Sequence, residues 1–404
     1  MARPSNLSSD PCTDNRRFHR QEKRATMLDE VSLSHLLRQP GPFVRNGWTY
    51  GEALGHFILE QELLPADRPA VVLEVGGGLG DVAAGIVPVL AGASRLAEYA
   101  ILDLSPELQA AQRERLRDAR TPVRLVSGDA ERLHRTSIEA DFVLSNEVIG
   151  DFRTIDGVPR TRGGPPTGGF SPDDFRHRRY WALAWDLVDR YGLDVPDEAE
   201  APSFAVNWGA IRFVEALWKV LPPGGGAFLV ENVTPFARPL ELPDHREYSI
   251  GERHLVQVLD RLGFACSVGD VADFLHPGRI FTIVSPRHLG LWLASRVMSP
   301  DDRRAWDLFN DPVVDWGGRI ARLREALGGD LRIDTAMAPE TLAGCLRTAG
   351  LDVGLPGTNV LGRHFRYFNL HKSVAANTAA GSCSHSGRVR RPPVNPSRRA
   401  GRRV

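Results

Sequence analysis

The run Ala70-Val71-Val72-Leu73-Glu74-Val75 ends abruptly in Gly76-Gly77-Gly78-Leu79-Gly80-Asp81, and a helical pattern over 82–90 follows. A short, mostly apolar run closed by glycines reads as a buried parallel strand. Glycine opens backbone conformations that other residues reach at a cost, and it lets a ligand approach the main chain closely. Strand, glycine turn and helix in that order form the ligand-binding corner of a doubly wound α/β sheet.

The chain beyond this corner keeps the same rhythm. Strand patterns lie at 99–104, 123–126, 140–145, 227–232, 265–271 and 279–284, and helical patterns at 106–117, 208–220 and 252–262. Alternating strands and helices predict a mostly parallel sheet with helices on both faces, here of seven strands. A helix over 50–64, with Leu54, Phe57, Ile58 and Leu64 on one stripe, precedes the sheet. The alternation breaks at 151–203, where a Gly/Pro-rich stretch (163–169) and an aromatic helix around Tyr180, Trp181 and Trp185 form either a substrate lid or a surface elaboration.

Several function classes are disfavoured by composition. Apolar residues are 42% and charged residues 25% of 404, the balance of an ordinary globular chain. The formal net charge is zero, but seven arginines between Arg388 and Arg403 offset an acidic remainder. An acidic folded part argues against nucleic acid as a partner. Cys12, Cys266, Cys345 and Cys383 are scattered without metal-ligand spacing, so neither a metal nor a disulfide is expected. No run approaches the roughly 18 apolar residues of a membrane span, and residues 1–26 lack an apolar signal core, so the expectation is no membrane and a cytoplasmic location.

Glycine spacing decides between cofactors. A dinucleotide fingerprint, G-x-G-x-x-G counted from Gly76, would place Asp81 at its third glycine, where a pyrophosphate would meet a carboxylate. The observed order is acidic-x-G-x-G-x-G, the pattern of class I methyltransferases that use S-adenosyl-L-methionine. Gly76, Gly78 and Gly80 would admit the methionine portion, Glu74 would engage its ammonium group, and Asp81 would add negative field near the sulfonium. Asp103, closing the second strand, is placed to accept hydrogen bonds from ribose hydroxyls, with Ser105 the better helix cap. Asp129 and Ala130 follow the third strand at the adenine position, a turn aspartate being the alternative.

The segments Leu102-Asp103-Leu104-Ser105-Pro106-Glu107-Leu108-Gln109-Ala110-Ala111-Gln112 and Val143-Leu144-Ser145-Asn146-Glu147-Val148-Ile149-Gly150-Asp151 resemble the MidA family of methyltransferases. The family pattern is an acidic-x-Ser-Pro-x-Leu…Gln segment followed by Asn-Glu…Asp, and the likeness covers roughly 40–285. Where the family has Asp-Tyr-Gly after the fifth strand, this chain has Glu231-Asn232-Val233. The resemblance implies a class I, Rossmann-like fold and, for the acceptor, protein arginine. Asn146 also adjoins the cofactor. With Glu147 it is the candidate for holding the nucleophile, and Asp151 is a second candidate carboxylate. His245, Tyr248 and His254 are read as structural.

The expected organisation is a flexible arm (1–26), an N-terminal helical segment (27–69), a methyltransferase domain (70–286, with the insertion at 151–203), a C-terminal helical extension (287–373) and a disordered basic tail (374–404); within the extension, 340–351 followed by 364–370 loosely echoes the helix-then-strand order of 252–284. The functional expectation is methyl transfer to a protein side chain or a small molecule. The alternatives are a non-catalytic assembly factor on the same fold and, disfavoured by glycine spacing, an NAD-dependent oxidoreductase. No sequence signal bears on oligomeric state.

Overall fold

A computed structural model describes residues 11–21, 32–38, 40, 44–136, 138–162, 175–197, 203–241, 245–275, 280–283, 295–298 and 365–373. The N-terminal elements are β1 (Cys12–Thr13), α1 (Arg16–Arg20), α2 (Leu33–Leu36) and α3 (Tyr50–Glu60). The first sheet units are β2 (Ala70–Val75), α4 (Asp81–Gly92), β3 (Leu96–Asp103), α5 (Pro106–Arg115), β4 (Val123–Ser127) and β5 (Phe142–Asn146). The insertion contributes β6 (Thr154–Pro159), α6 (Phe175–Tyr191) and β7 (Ser203–Val206). Then come α7 (Trp208–Val220), β8 (Gly226–Thr234), β9 (Pro239–Glu241), β10 (Arg246–Tyr248), β11 (Ile250–Gly251), α8 (Glu252–Leu262), β12 (Phe264–Asp270) and α9 (Ala272–Leu275). The last are β13 (Ile280–Ile283), β14 (Ser295–Met298) and β15 (Phe365–Lys372).

The central sheet runs β4-β3-β2-β5-β8-β15-β12, with β11 paired to the end of β8. Strands β4, β3, β2, β5 and β8 are mutually parallel, and β15 is antiparallel to both its neighbours. In chain order of the seven long strands this is 3-2-1-4-5-7-6 with the seventh reversed, the class I Rossmann-like arrangement. A dinucleotide-binding sheet instead runs 3-2-1-4-5-6.

The seventh strand is where sequence pattern and fold part. The stretch expected at 279–284 forms β13, four residues long, and pairs antiparallel with β14 in a separate two-stranded sheet. The slot between β8 and β12 is filled by β15, from within the expected C-terminal helical extension. Seven registered pairs join β15 to β8 and seven join it to β12. Phe368 and Leu370 enter the core on one face of the sheet and Phe365 the core on the other, as a strand buried on both faces requires. The expected helix at 340–351, the stretch 163–169 and the tail 374–404 lie outside the described residues.

Each face of the sheet carries its own core, set by the two-residue period of the strands. Leu73, Val75, Val143 and Leu229 pack with α7, α8 and the insertion, while Val72, Leu144, Phe228 and Val230 pack with α3 and α4. Thr49 begins α3 with a reciprocal capping box to Glu52. The described part of the insertion, with β1, forms a three-stranded sheet β1-β6-β7, and Trp181, Leu187 and Phe204 join the core of that face.

Part of the arm at 1–26 is held rather than loose. Cys12 and Thr13 pair with Ile155 and Thr154, Asn15 Nδ2 donates to the Arg246 carbonyl at 2.8 Å, and Phe18 stacks on His245 at 4.1 Å. No helix among the described residues is long and apolar enough to cross a membrane.

Candidate functional site

Four adjacent parallel strands present their carboxyl ends together, and the residues singled out by sequence follow them. The glycine turn leaves β2, Asp103 closes β3, Asp129 stands just past β4 and Asn146 closes β5. This is the edge at which open α/β sheets take ligands.

The turn itself depends on glycine. Gly76 has φ +67°, and a Cβ there would stand 2.5 Å from Val148 Cγ2. Gly80 has φ +84° and begins α4 in a left-handed conformation. Gly76→Ala is expected to cost about 1–3 kcal/mol through overpacking and to abolish ligand binding at the turn, checked by thermal melts and calorimetry on one sample.

Carboxylates crowd around this turn. Glu74 is buried and accepts a hydrogen bond from Tyr99 Oη at 2.9 Å. Burial pushes its carboxyl up to about 7, the Tyr99 hydrogen bond opposes this, and nearby Asp103 and Asp81 add to it. Asp81, at the start of α4, lies 2.7 Å from His35 Nδ1 and 3.2 Å from Arg115 Nε. Asp103 Oδ1 accepts from the Ser105 amide at 2.9 Å, and its Oδ2 accepts from Gln112 Nε2 at 2.8 Å. Ser105 is indeed the cap of α5, its Oγ accepting from the Leu108 amide.

Asp129 caps the 3-10 turn Ala130–Arg135 by accepting from the Glu131 amide at 3.0 Å, and its other oxygen lies 3.6 Å from Arg16. Ala130 is buried beneath it. Asn146 donates from Nδ2 to Glu147 Oε1 at 3.0 Å and accepts from the Tyr50 hydroxyl. Glu147 adopts a left-handed backbone, φ +57°, a conformation uncommon outside glycine and often tied to function. Its carboxylate accepts from the Leu33 amide at 2.9 Å and so caps α2. Asp151 ends a 3-10 turn, Ile149–Asp151, that follows Asn146 and Glu147 in the chain. Burial pushes its carboxyl up to about 6.

Three residues that sequence reasoning did not assign complete the arrangement. Gln112 joins the turn to Asp103, donating to the Gly78 carbonyl at 3.0 Å as well as to Asp103. Its signal lay in the Ser-Pro…Gln segment. Tyr50 reaches Asn146 from α3, and nothing local to it foretold this. Glu231 accepts from the amides of Val148, Ile149 and Gly150 at 2.6, 2.6 and 3.3 Å, shaping the turn after Glu147. Burial, with Asp151 and Glu147 nearby, holds its carboxyl well above the usual range. His254 and Tyr248 serve the scaffold, bonded to the Asp194 carbonyl and to Asp156.

This edge can receive a cation. Glu74, Asp81 and Asp103 stand near enough to interact beside a backbone turn too close for side chains, and Arg115 approaches Asp81 at 3.2 Å. A group carrying a sulfonium and an ammonium fits that donor set. A pyrophosphate does not.

Residues 54–165 match a family model described as "Putative S-adenosyl-L-methionine-dependent methyltransferase". No curated protein matches the chain. Among solved structures, a COG1565-superfamily protein from Burkholderia thailandensis bound to S-adenosyl-homocysteine is 17% identical, with 88% of this chain and 82% of that one covered and a TM-score of 0.41. A second protein of that superfamily and organism is 18% identical, with 86% and 88% covered and a TM-score of 0.41. The [4+2]-cyclase SpnF is 14% identical, with 80% and 81% covered and a TM-score of 0.37. These likenesses are distant, and the fold assignment rests on the strand order itself. The matched segment, which carries the glycine turn, Asp103, Asp129 and Asn146-Glu147, is that of an S-adenosyl-L-methionine-dependent methyltransferase.

Proposed function

We propose that the chain transfers a methyl group from S-adenosyl-L-methionine to a protein side chain, arginine by its resemblance to the MidA family, or to a small molecule. The observation that carries the reading is the carboxylate-ringed glycine turn at the shared end of β2, β3 and β5. In it Gly76, Gly78 and Gly80 admit the methionine portion, and Glu74 and Asp81 supply the negative field. Asp103 takes the ribose, oriented by Gln112, and Asp129 with Ala130 borders the adenine. S-adenosyl-L-methionine supplies an electrophilic methyl on a good leaving group, so positioning and exclusion of water dominate. Asn146 and Glu147 hold the acceptor. A carboxylate in that place can grip a guanidinium at two points or orient a hydroxyl. Asp151 adds a second carboxylate.

Titration with S-adenosyl-homocysteine tests the reading: a folded protein that takes up none would sink it. Asp103→Ala is expected to weaken that binding by about 1–3 kcal/mol, roughly 5- to 150-fold.

One observation favours a second reading. Glu147 and Asn146 are already engaged by Leu33 and Tyr50, residues N-terminal to the sheet. A binding protein that uses the cofactor to lock these segments would keep the contacts and show no turnover. Labelled methyl transfer into candidate acceptors separates the two, since only an enzyme releases S-adenosyl-homocysteine catalytically.

A further inference from the structure

Three residues from distant parts of the chain converge. His19 comes from α1, Asp151 from the turn after β5, and His245 from the residue before β10. One donor atom from each lies within 4.8 Å of the other two. His19 Nε2 and Asp151 Oδ1 are 3.6 Å apart. A tetrahedral zinc ion with bonds of about 2.0–2.2 Å keeps its ligand atoms about 3.3–3.6 Å apart, so small side-chain rotations close the set.

The surroundings are those of a metal site. Asp151 Oδ1 is shielded from water and accepts no hydrogen bond among the described residues. The His245 side chain is 4% exposed, its ring stacked under Phe18. Glu247 Oε1 stands 2.9 Å from His245 Nε2, the carboxylate–histidine contact that commonly orients a metal-bound imidazole. Two neutral imidazoles and two carboxylates carry a formal charge that a divalent cation balances. Two nitrogens and one oxygen suit zinc or a neighbouring first-row metal, and a three-ligand set leaves a coordination position open.

We propose that His19, Asp151 and His245 form a site for a divalent transition-metal cation, which pins the N-terminal segment to the turn following β5. The site is independent of the methyl donor. It is invisible to spacing rules because its ligands are scattered along the chain.

The test uses the full chain, stripped with a chelator and dialysed. Zn2+ titrated against a chromogenic competitor, and Co2+ followed by its visible absorption, are expected to show one site. His19→Ala and His245→Ala should each weaken it by more than about 10-fold, and Glu247→Gln by about 10-fold. Zn2+ should also slow tryptic cleavage after Arg16, Arg17 and Arg20 in the wild type and not in His19→Ala. Circular dichroism checks folding, and if His245→Ala unfolds, His19→Ala decides, because it lies outside the central sheet. No binding by the folded wild type overturns the proposal. So does binding that survives His19→Ala, which would place the cation elsewhere, for instance at Cys383 and His385.

Discussion

A chain ending at residue 286 is expected to lose cooperative unfolding altogether, although it keeps all seven strands expected between 70 and 284. Truncation there removes β15, and among the described strands β8 and β12 are joined only through it. Fourteen registered residue pairs vanish, seven on each side. Phe365, Phe368 and Leu370 leave the two cores, and Lys372 no longer donates to the carbonyls of Trp218 and Leu221 at 2.6 and 2.7 Å. Two strand edges then stand open, which invites association. The milder form of the experiment is Phe368→Ala. Emptying a fully buried phenylalanine site costs about 3–5 kcal/mol, a large share of a typical stability of about 5–15 kcal/mol. Urea melts would read the point variant, and a control ending at residue 374, which keeps β15, should melt cooperatively. A chain ending at 286 that melts sharply would show that β15 is dispensable.

Glu74→Gln is expected to stabilise the unliganded protein at pH 8 by about 3 kcal/mol while weakening its hold on S-adenosyl-homocysteine. In the fold, burial lifts this carboxyl to about 7 from its ordinary 4.5. Between those values the folded chain keeps a proton that the unfolded chain has released, so stability falls as pH rises through the window. Above pH 7 the loss is complete, and at about 1.4 kcal/mol per tenfold step it amounts to roughly 3 kcal/mol. Glutamine still accepts the Tyr99 hydrogen bond and carries no charge, which removes the slope. A bound ammonium group would favour the carboxylate and reverse the balance, so the gain in stability and the loss of affinity share one cause. Denaturant melts of both proteins at pH 5 and pH 8 measure it. Parallel pH profiles would mean that Glu74 is not buried as a neutral acid.

The elements legible in the sequence were those whose signals are local. The helices Trp208–Val220 and Glu252–Leu262 match their apolar periods residue for residue, and the first five sheet strands lie within three residues of their expected ends. The turn after β2 was readable because only glycine tolerates φ near +67° beside Val148. The seventh strand was misplaced for a reason that no window reveals. Residues 279–284 and 365–372 both carry strand patterns, and the choice depends on which one fills both open edges of β8 and β12. Residues 11–21 read as a loose polar arm because their partners, Ile155, Arg246 and His245, lie far along the chain.

The sequence by itself determined the α/β class, the glycine turn that follows Glu74 at the end of β2, and the acidic residues at the strand ends. Each follows from backbone sterics and side-chain period over a handful of residues. Tertiary structure alone decided that β15 completes the sheet and that Tyr50 and Leu33 reach Asn146 and Glu147. It also decided that His19, Asp151 and His245 meet. Those are long-range contacts, selected by the free energy of burying two faces of one sheet and of satisfying the polar groups at its edge.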